Sequence, residues 1–225
     1  MLTPVIRRIF PTIFGFVLTA ACLFGSAGRL SWLNAWILLT INFAAGIAAM
    51  ALLWNNPELL AERSNTKVAK NWDKPIVFFV VLLGPVATWI TAGFDARFQI
   101  ARSANLPLLA VGVAVAVLAA CLVAWAMHTN QFFSSVVRIQ NDRGHVVVTN
   151  GPYRFVRHPG YTGMAVFTLL TPLILDSRWA LLPASITIAV WVLRTALEDR
   201  TLLSELAGYD NYAQKVKYRL LPLLW

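Results

Sequence analysis

The sequence predicts an all-α, polytopic transmembrane helical bundle of about six hydrophobic segments, the last two forming a C-terminal helical hairpin followed by a cytoplasmic tail. Three observations predict it. Of 225 residues, 58% are hydrophobic and only 13% are charged, with a mean hydropathy of +0.64. A soluble domain carries about 25% charged residues, and half that number leaves too little polar surface to cover a water-soluble globule. The apolar residues also come in runs, and about 18 or more with few charges can cross a bilayer as a helix. Finally, the basic residues collect between the runs, as positively charged membrane flanks do.

The apolar segments fall at 9–28, 30–54, 75–93, 106–127, 160–175 and 179–203. The first begins near Ile9. It reads as a retained helix rather than a signal peptide, because further spans follow at once and no Ala-x-Ala cleavage site stands out. Residues 55–74 carry mixed charge and read as an interfacial helix. Residues 128–159 are the longest polar stretch, with Gly144 to Val148 as a short extended piece before a turn at Asn150-Gly151-Pro152. The fifth segment is short for a span, and Asp176-Ser177-Arg178 turns it tightly into the sixth. With no internal repeat, low-complexity tract or flexible linker, residues 1–225 read as one integral membrane domain, with N-terminal helices in 1–127.

Charge asymmetry gives an orientation. With the N-terminus cytoplasmic, 15 of the 19 Lys and Arg residues lie inside and four (Arg29, Arg97, Arg102 and Arg178) lie outside, so both termini are expected in the cytoplasm. Trp32, Trp54, Trp72, Trp89, Trp125 and Trp179 lie at or near segment ends, where an aromatic belt would put them. The formal net charge of +9 is therefore a membrane signature rather than a nucleic-acid footprint, and no nucleic-acid partner is expected. Cys22 and Cys121 each sit in an apolar run, which argues against a disulfide. No His/Cys cluster has zinc-ligand spacing, so no metal is expected.

Three clusters carry the polar chemistry. Residues Gly151 to Gly163, Gly-Pro-Tyr-Arg-Phe-Val-Arg-His-Pro-Gly-Tyr-Thr-Gly, stand directly before the fifth segment. Pro159 suits the first turn of that helix, which puts His158 at or near the N-cap. Free amides at a helix start attract anions, and Arg154, Arg157 and His158 crowd the same point. They form either a seat for a carboxylate or phosphate, or simply a topology signal and a cap. At the end of the sixth segment Arg194 and Glu198 are four residues apart on one helix face, with Asp199 and Arg200 following. Ionisable groups at membrane depth face a cavity or pair with each other, so this cluster is a site or a salt bridge at the bilayer exit. In the third, Gly208 ends a helix, and Tyr212 and Lys215 open a basic amphipathic segment that either anchors the tail or meets a ligand.

The order of these motifs resembles the isoprenylcysteine carboxyl methyltransferase and phospholipid methyltransferase superfamily. The resemblance covers about residues 145–222, and Asn56 to Arg63 is similar to bacterial members. It implies an S-adenosylmethionine-dependent enzyme in the membrane, a bacterial inner membrane being the expected location, with residues 128–225 as the cofactor-binding catalytic half. It implies a pocket made by the last two helices and the tail. His-Pro-x-Tyr-x-Gly maps onto His158, Pro159, Tyr161 and Gly163, and the acidic pair onto Glu198 and Asp199, where the second acid is usually Glu. Tyr153, Arg157 and Tyr212 are the further cofactor contacts it suggests, and Arg194 and Glu198 the catalytic residues. The acceptor it implies is lipid-like or prenylated. The residues themselves leave its chemistry open: Arg194 could orient an anionic acceptor, or Glu198 could take a proton from an amine. Oligomeric state is not legible.

Two other readings compete. A sterol-type reductase using NADPH has a similar C-terminal region, but Gly160 and Met164 stand where its Asn and Glu belong. The other is a non-catalytic scaffold or small transporter, but transporters usually show paired repeats and broken midplane helices, whereas this chain has no repeat and its charges gather at one face.

Overall fold

A computed structural model describes residues 4–54, 56–98 and 106–225, with the side chains of residues 4–8 and Thr66 set aside. The described residues form helices and loops, with no strand among them. Helix α1 (Pro4–Ala27) and α2 (Leu33–Trp54) make an antiparallel pair, and the short α3 (Pro57–Ser64) follows. Helix α4 (Asp73–Phe78) and α5 (Gly84–Phe98) are one continuous rod joined by a π turn at Phe79–Leu83. Pro85 explains the turn: it lacks an amide proton and its ring crowds the carbonyl one turn earlier, so the ladder is loosened just before it. Helix α6 (Leu106–Thr129), α7 (Pro159–Ile174), α8 (Leu181–Glu205) and the short α9 (Tyr209–Lys215) complete the chain.

Five helical stretches are long and apolar enough to cross a membrane: Ile9–Ala27, Leu33–Trp54, Asp73–Phe98, Leu106–Thr129 and Leu181–Glu205. The protein is an integral membrane protein with an all-helical fold. Helix α7 has 16 residues, about 24 Å at ~1.5 Å per residue, against roughly 30 Å of hydrocarbon. Its partner α8 has 25 residues, so the hairpin is lopsided and the start of α7 lies below the end of α8.

One expectation needs correction. The third segment does not stop at residue 93 but runs to Phe98, which puts Trp89 inside a span rather than at its end. Arg102 lies outside the described residues, as do the side chains of Arg7 and Arg8, so their part in the charge count is not described.

The helices close a ring in the order α1, α2, α6, α7, α8, α5. Lipid cannot drive helix against helix, so close contact depends on small residues. A methyl group added at Gly163 of α7 would meet the Ala119 carbonyl of α6 at 2.6 Å, and one at Gly84 would meet Thr187 Oγ1 of α8 at 2.2 Å. Phe14, Val81, Leu118, Leu182 and Leu193 point outward to lipid. At one end of the ring Leu23, Trp32, Leu38, Ala92 and Ile174 make an apolar core, with Asn34 Nδ2 donating to the Ile174 carbonyl at 2.7 Å and Ser177 Oγ donating to Asp95 at 2.7 Å. At the other end the polar clusters converge. Gly163→Val is expected to cost about 1–3 kcal/mol by overpacking, seen as a lowered unfolding temperature in detergent. An unchanged temperature would contradict the close approach of α6 and α7.

Candidate active site

Pro159 opens α7 and His158 is its N-cap residue, without a side-chain cap. The tail lies across this start. The amides of Arg157 and His158 donate to the carbonyls of Tyr218 and Arg219, both at 2.9 Å, and Thr162 Oγ1 donates to the Leu220 carbonyl at 2.7 Å. Arg157 Nη1 adds bonds to the carbonyls of Val216 and Lys217 at 3.0 and 3.2 Å. The tail is thus stitched to the helix start and uses donors that an external anion was expected to find.

The cations there have an internal anion. Asp199 is fully enclosed and accepts Arg157 Nε and Nη2 at 2.8 and 2.9 Å, Arg219 Nε at 2.8 Å and the Tyr209 hydroxyl at 2.8 Å, with His158 Nε2 at 3.3 Å. Arg154 takes no part: it is exposed and lies over the Phe155 ring. The expected seat built from Arg154, Arg157 and His158 is therefore corrected to a node on Asp199 that joins α7, α8, α9 and the tail. A carboxylate this saturated has no lone pair left for a ligand and acts by holding its neighbours.

The Arg194 and Glu198 pair is also reassigned. Arg194 Nε and Nη2 bind Asp73 at 2.8 and 3.1 Å, and Nη2 also donates to the Ser135 carbonyl at 3.0 Å. Asp73, the first residue of α4, further accepts the Val137 amide at 2.7 Å. Glu198 instead accepts the Tyr161 hydroxyl and has no cation within salt-bridge distance among the described residues. Arg194 lies over the rings of Tyr161 and Trp191, at 5.0 and 5.6 Å from their centroids.

The loop after α6 covers this end. Arg138 makes a forked pair with Glu62 at 2.8 and 2.6 Å, Ser135 Oγ donates to the Arg63 carbonyl, and the Lys70 amide donates to the Val137 carbonyl. The expected extended piece at 144–148 is neither helix nor strand. Beneath the loop is a cavity of about 400 Å³. Its wall includes Tyr153, Arg157, His158, Tyr161, Arg194, Glu198 and Tyr212 of the sequence-derived set, with Gly160, Met164, Trp191 and Tyr209. Pro159, Gly163 and Asp199 stand behind that wall: Gly163 faces α6, and Asp199 is enclosed by its partners. Asp73, Arg219 and Tyr209 were not singled out from the sequence. The one signal for Asp73 was its position as the last acid before the third apolar run.

Burial pushes the phenols of Tyr153, Tyr209 and Tyr212 up, the Asp199 charge adding to Tyr209, so all three stay neutral donors. Hydrogen bonding to Arg138 holds the Glu62 carboxyl below its ordinary value. Burial, with Arg138 and Arg143 nearby, pulls His145 below its ordinary 6.5. Its Nδ1 accepts the Gln140 amide at 3.3 Å, a role only the unprotonated nitrogen can fill. A depressed histidine takes up its proton more readily in the unfolded chain, so stability falls as pH drops below about 6.5. The depressed Glu62 removes more below about 4.5, because its contribution is present only above the unfolded value. Thermal unfolding between pH 8 and 3 should show both losses, and His145→Gln should remove the first.

Residues 110–204 match the sequence model of a family described as isoprenylcysteine carboxyl methyltransferase. A probable protein-S-isoprenylcysteine O-methyltransferase of Oryza sativa subsp. indica is 29% identical over 86 residues, 37% of this chain and 45% of the relative. The protein-S-isoprenylcysteine O-methyltransferase of Saccharomyces cerevisiae is 34% identical over 99 residues, 40% of this chain and 39% of the relative. The chain spans less than half the length of these curated relatives. The solved structure of the eukaryotic intramembrane Ras methyltransferase ICMT, without a monobody, shares the fold with a TM-score of 0.59 at 21% identity, over 92% of this chain and 73% of that one.

Proposed function

We propose that this chain belongs to the isoprenylcysteine carboxyl methyltransferase family, whose sequence model residues 110–204 match, and is a membrane methyltransferase using S-adenosylmethionine on a lipid-like or prenylated acceptor at the cytoplasmic face. The observation that carries the reading is the cavity under the loop, where Glu198 stands without a cationic partner among the described residues, between paired aromatics. The residues fit a sulfonium nucleoside. At about 400 Å³ the cavity is within the roughly 300–1,000 Å³ of small-molecule sites. Tyr161 and Trp191 (centroids 5.1 Å apart) and Tyr209 and Tyr212 (5.5 Å) offer ring faces to an onium charge or a base. The second oxygen of Glu198 is available to a hydroxyl or ammonium group. Gly160 and Tyr161, whose first-turn amides have no intrahelical partner, border the cavity and suit a carboxylate.

S-adenosylmethionine supplies an activated methyl group, so the protein needs little acid or base of its own. Its residues position and desolvate. Arg194, fixed by Asp73, holds positive charge beside Tyr161 and Glu198. For an amine acceptor Glu198 would take the released proton, and for a carboxylate no proton moves. Residues 128–225 form the catalytic half within a single domain, helped by Asp73 and Arg63 from the N-terminal helices, and both termini are cytoplasmic. Incubating membrane extracts with methyl-labelled S-adenosylmethionine should yield a labelled lipid-like product with the wild-type protein and none with Glu198→Ala. No labelled product with wild type, or equal product with both, would refute the reading.

A further inference from the structure

The tail is fastened to the start of α7, yet it leaves its most apolar residues uncovered. Beyond the buried Leu220, the Leu224 and Trp225 amides both donate to the Leu221 carbonyl at 3.2 Å, and the Trp225 carbonyl accepts the Arg219 and Leu220 amides at 2.8 and 3.1 Å. Residues 219–225 thus close into a knob, with the Arg219 guanidinium 4.9 Å from the Trp225 ring centroid. Leu223 is 88% exposed and Leu224 80%, and Leu221 is exposed as well. Arg154 and Phe155, just before the residues that bond to the tail, are exposed, as are Lys215 and Lys217 just before the knob. Arg154, Lys215 and Lys217 have no carboxylate within salt-bridge distance among the described residues.

Helix α7 sets the depth of this cluster. Asn34, the second residue of α2, donates to the carbonyl of Ile174, the last residue of α7, so α7 ends level with the start of a membrane span. From that edge its 16 residues reach about 24 Å, so its start falls roughly 6 Å short of the far side of the hydrocarbon. The tail crosses this short end through the Tyr218 and Arg219 carbonyls. The knob therefore lies where hydrocarbon gives way to headgroups. Three outward leucines and Phe155 there meet acyl chains, and three unpaired cations meet headgroups. That arrangement is the complement of an anionic lipid surface.

We propose that the knob at residues 219–225, flanked by Arg154, Lys215 and Lys217, docks into the bilayer surface, prefers anionic lipid, and so couples lipid charge to the cavity beneath the loop. The coupling runs through one residue. Arg219 Nε reaches Asp199 at 2.8 Å from within the knob. Asp199 also holds Tyr209 at 2.8 Å and His158 at 3.3 Å, and both of these border the cavity. A docked knob keeps Arg219 on Asp199 and those two rings in the wall. Docking goes beyond the methyl-donor reading and does not depend on it, whereas the effect on the cofactor rests on that reading.

The test uses the full chain in phosphatidylcholine nanodiscs, with and without a third of the lipid as phosphatidylglycerol. Leu224→Cys, in a Cys22→Ser and Cys121→Ser background, carries a bimane fluorophore. A nitroxide high on the lipid chain should quench the label, and aqueous iodide should not reach it. Phosphatidylglycerol should raise the ratio of docked to free knob about fivefold for each cation engaged, and Lys215→Gln with Lys217→Gln should remove most of that gain. Unlabelled wild type should bind S-adenosylhomocysteine about fivefold more tightly with phosphatidylglycerol than without, and Leu223→Glu should lose that gain while still binding. A label open to iodide in both bilayers, a docked fraction indifferent to phosphatidylglycerol, or shielding that appears only when two copies share a nanodisc would overturn the inference. Equal S-adenosylhomocysteine affinity in the two bilayers would overturn the coupling through Arg219. Wild type that binds no S-adenosylhomocysteine in either bilayer would instead strike the methyl-donor reading, because docking is read from the label alone.

Discussion

Asp199→Ala is expected to lower the unfolding free energy by about 3–5 kcal/mol, the range for removing one partner of a buried ion pair. It is also expected to abolish S-adenosylhomocysteine binding. The loss follows from what would be left behind. Arg157, enclosed between α7 and the tail, would keep its charge without a carboxylate, and Arg219 and Tyr209 would lose their acceptor. The tail would remain tied to the start of α7 through backbone bonds, Thr162 and the Arg157 Nη1 bonds to the Val216 and Lys217 carbonyls, without any ionic contact. Thermal unfolding in detergent and calorimetry with S-adenosylhomocysteine read the two effects. Asp199→Asn is expected to fall between, because an amide oxygen can accept from Arg157 but carries no charge. A variant with wild-type stability would show that the node holds nothing.

The second large effect is at Asp73. Asp73→Ala leaves Arg194 buried without a counter-ion and frees the Val137 amide of the covering loop. A loss of about 3–5 kcal/mol is again expected. Methyl transfer should fall with it, because Arg194 is then free to turn toward Glu198. The double variant Asp73→Ala with Arg194→Leu removes both charges and should recover part of the stability without recovering activity. A double-mutant cycle should therefore show a coupling of about 0.5–3 kcal/mol. Strict additivity would mean that the two residues do not depend on each other.

The helices were legible because a span is a local property: a run of apolar residues carries its own signal, and the boundaries came within a few residues wherever charge marks the end. The shortfall at Phe98 has a local cause as well. Gly93 to Arg97 mixes Gly, Asp and Arg into the last turn, which reads as a loop, yet Gly93 packs on Ser26 and Asp95 accepts Ser177, so neighbours pull the segment into the bundle. The candidate site was legible in its members, since seven of the residues singled out border one cavity. Its wiring was not. The four-residue spacing of Arg194 and Glu198 suggests a pair, but Arg194 binds Asp73, 121 positions away, and the Arg157 partner Asp199 is 42 positions away. In a membrane the choice of counter-ion depends on which helix ends meet at the same depth, and spacing along one helix does not encode that.

On the proposed function, the start of α7, the end of α8 and the tail enclose one sulfonium-bearing nucleoside. The most direct measurement is isothermal titration of S-adenosylhomocysteine into the purified protein, comparing wild type with Glu198→Ala at matched thermal stability. Wild type should show saturable one-site binding, and the variant should lose it. Absence of binding by wild type, or equal affinity in the two proteins, would contradict it.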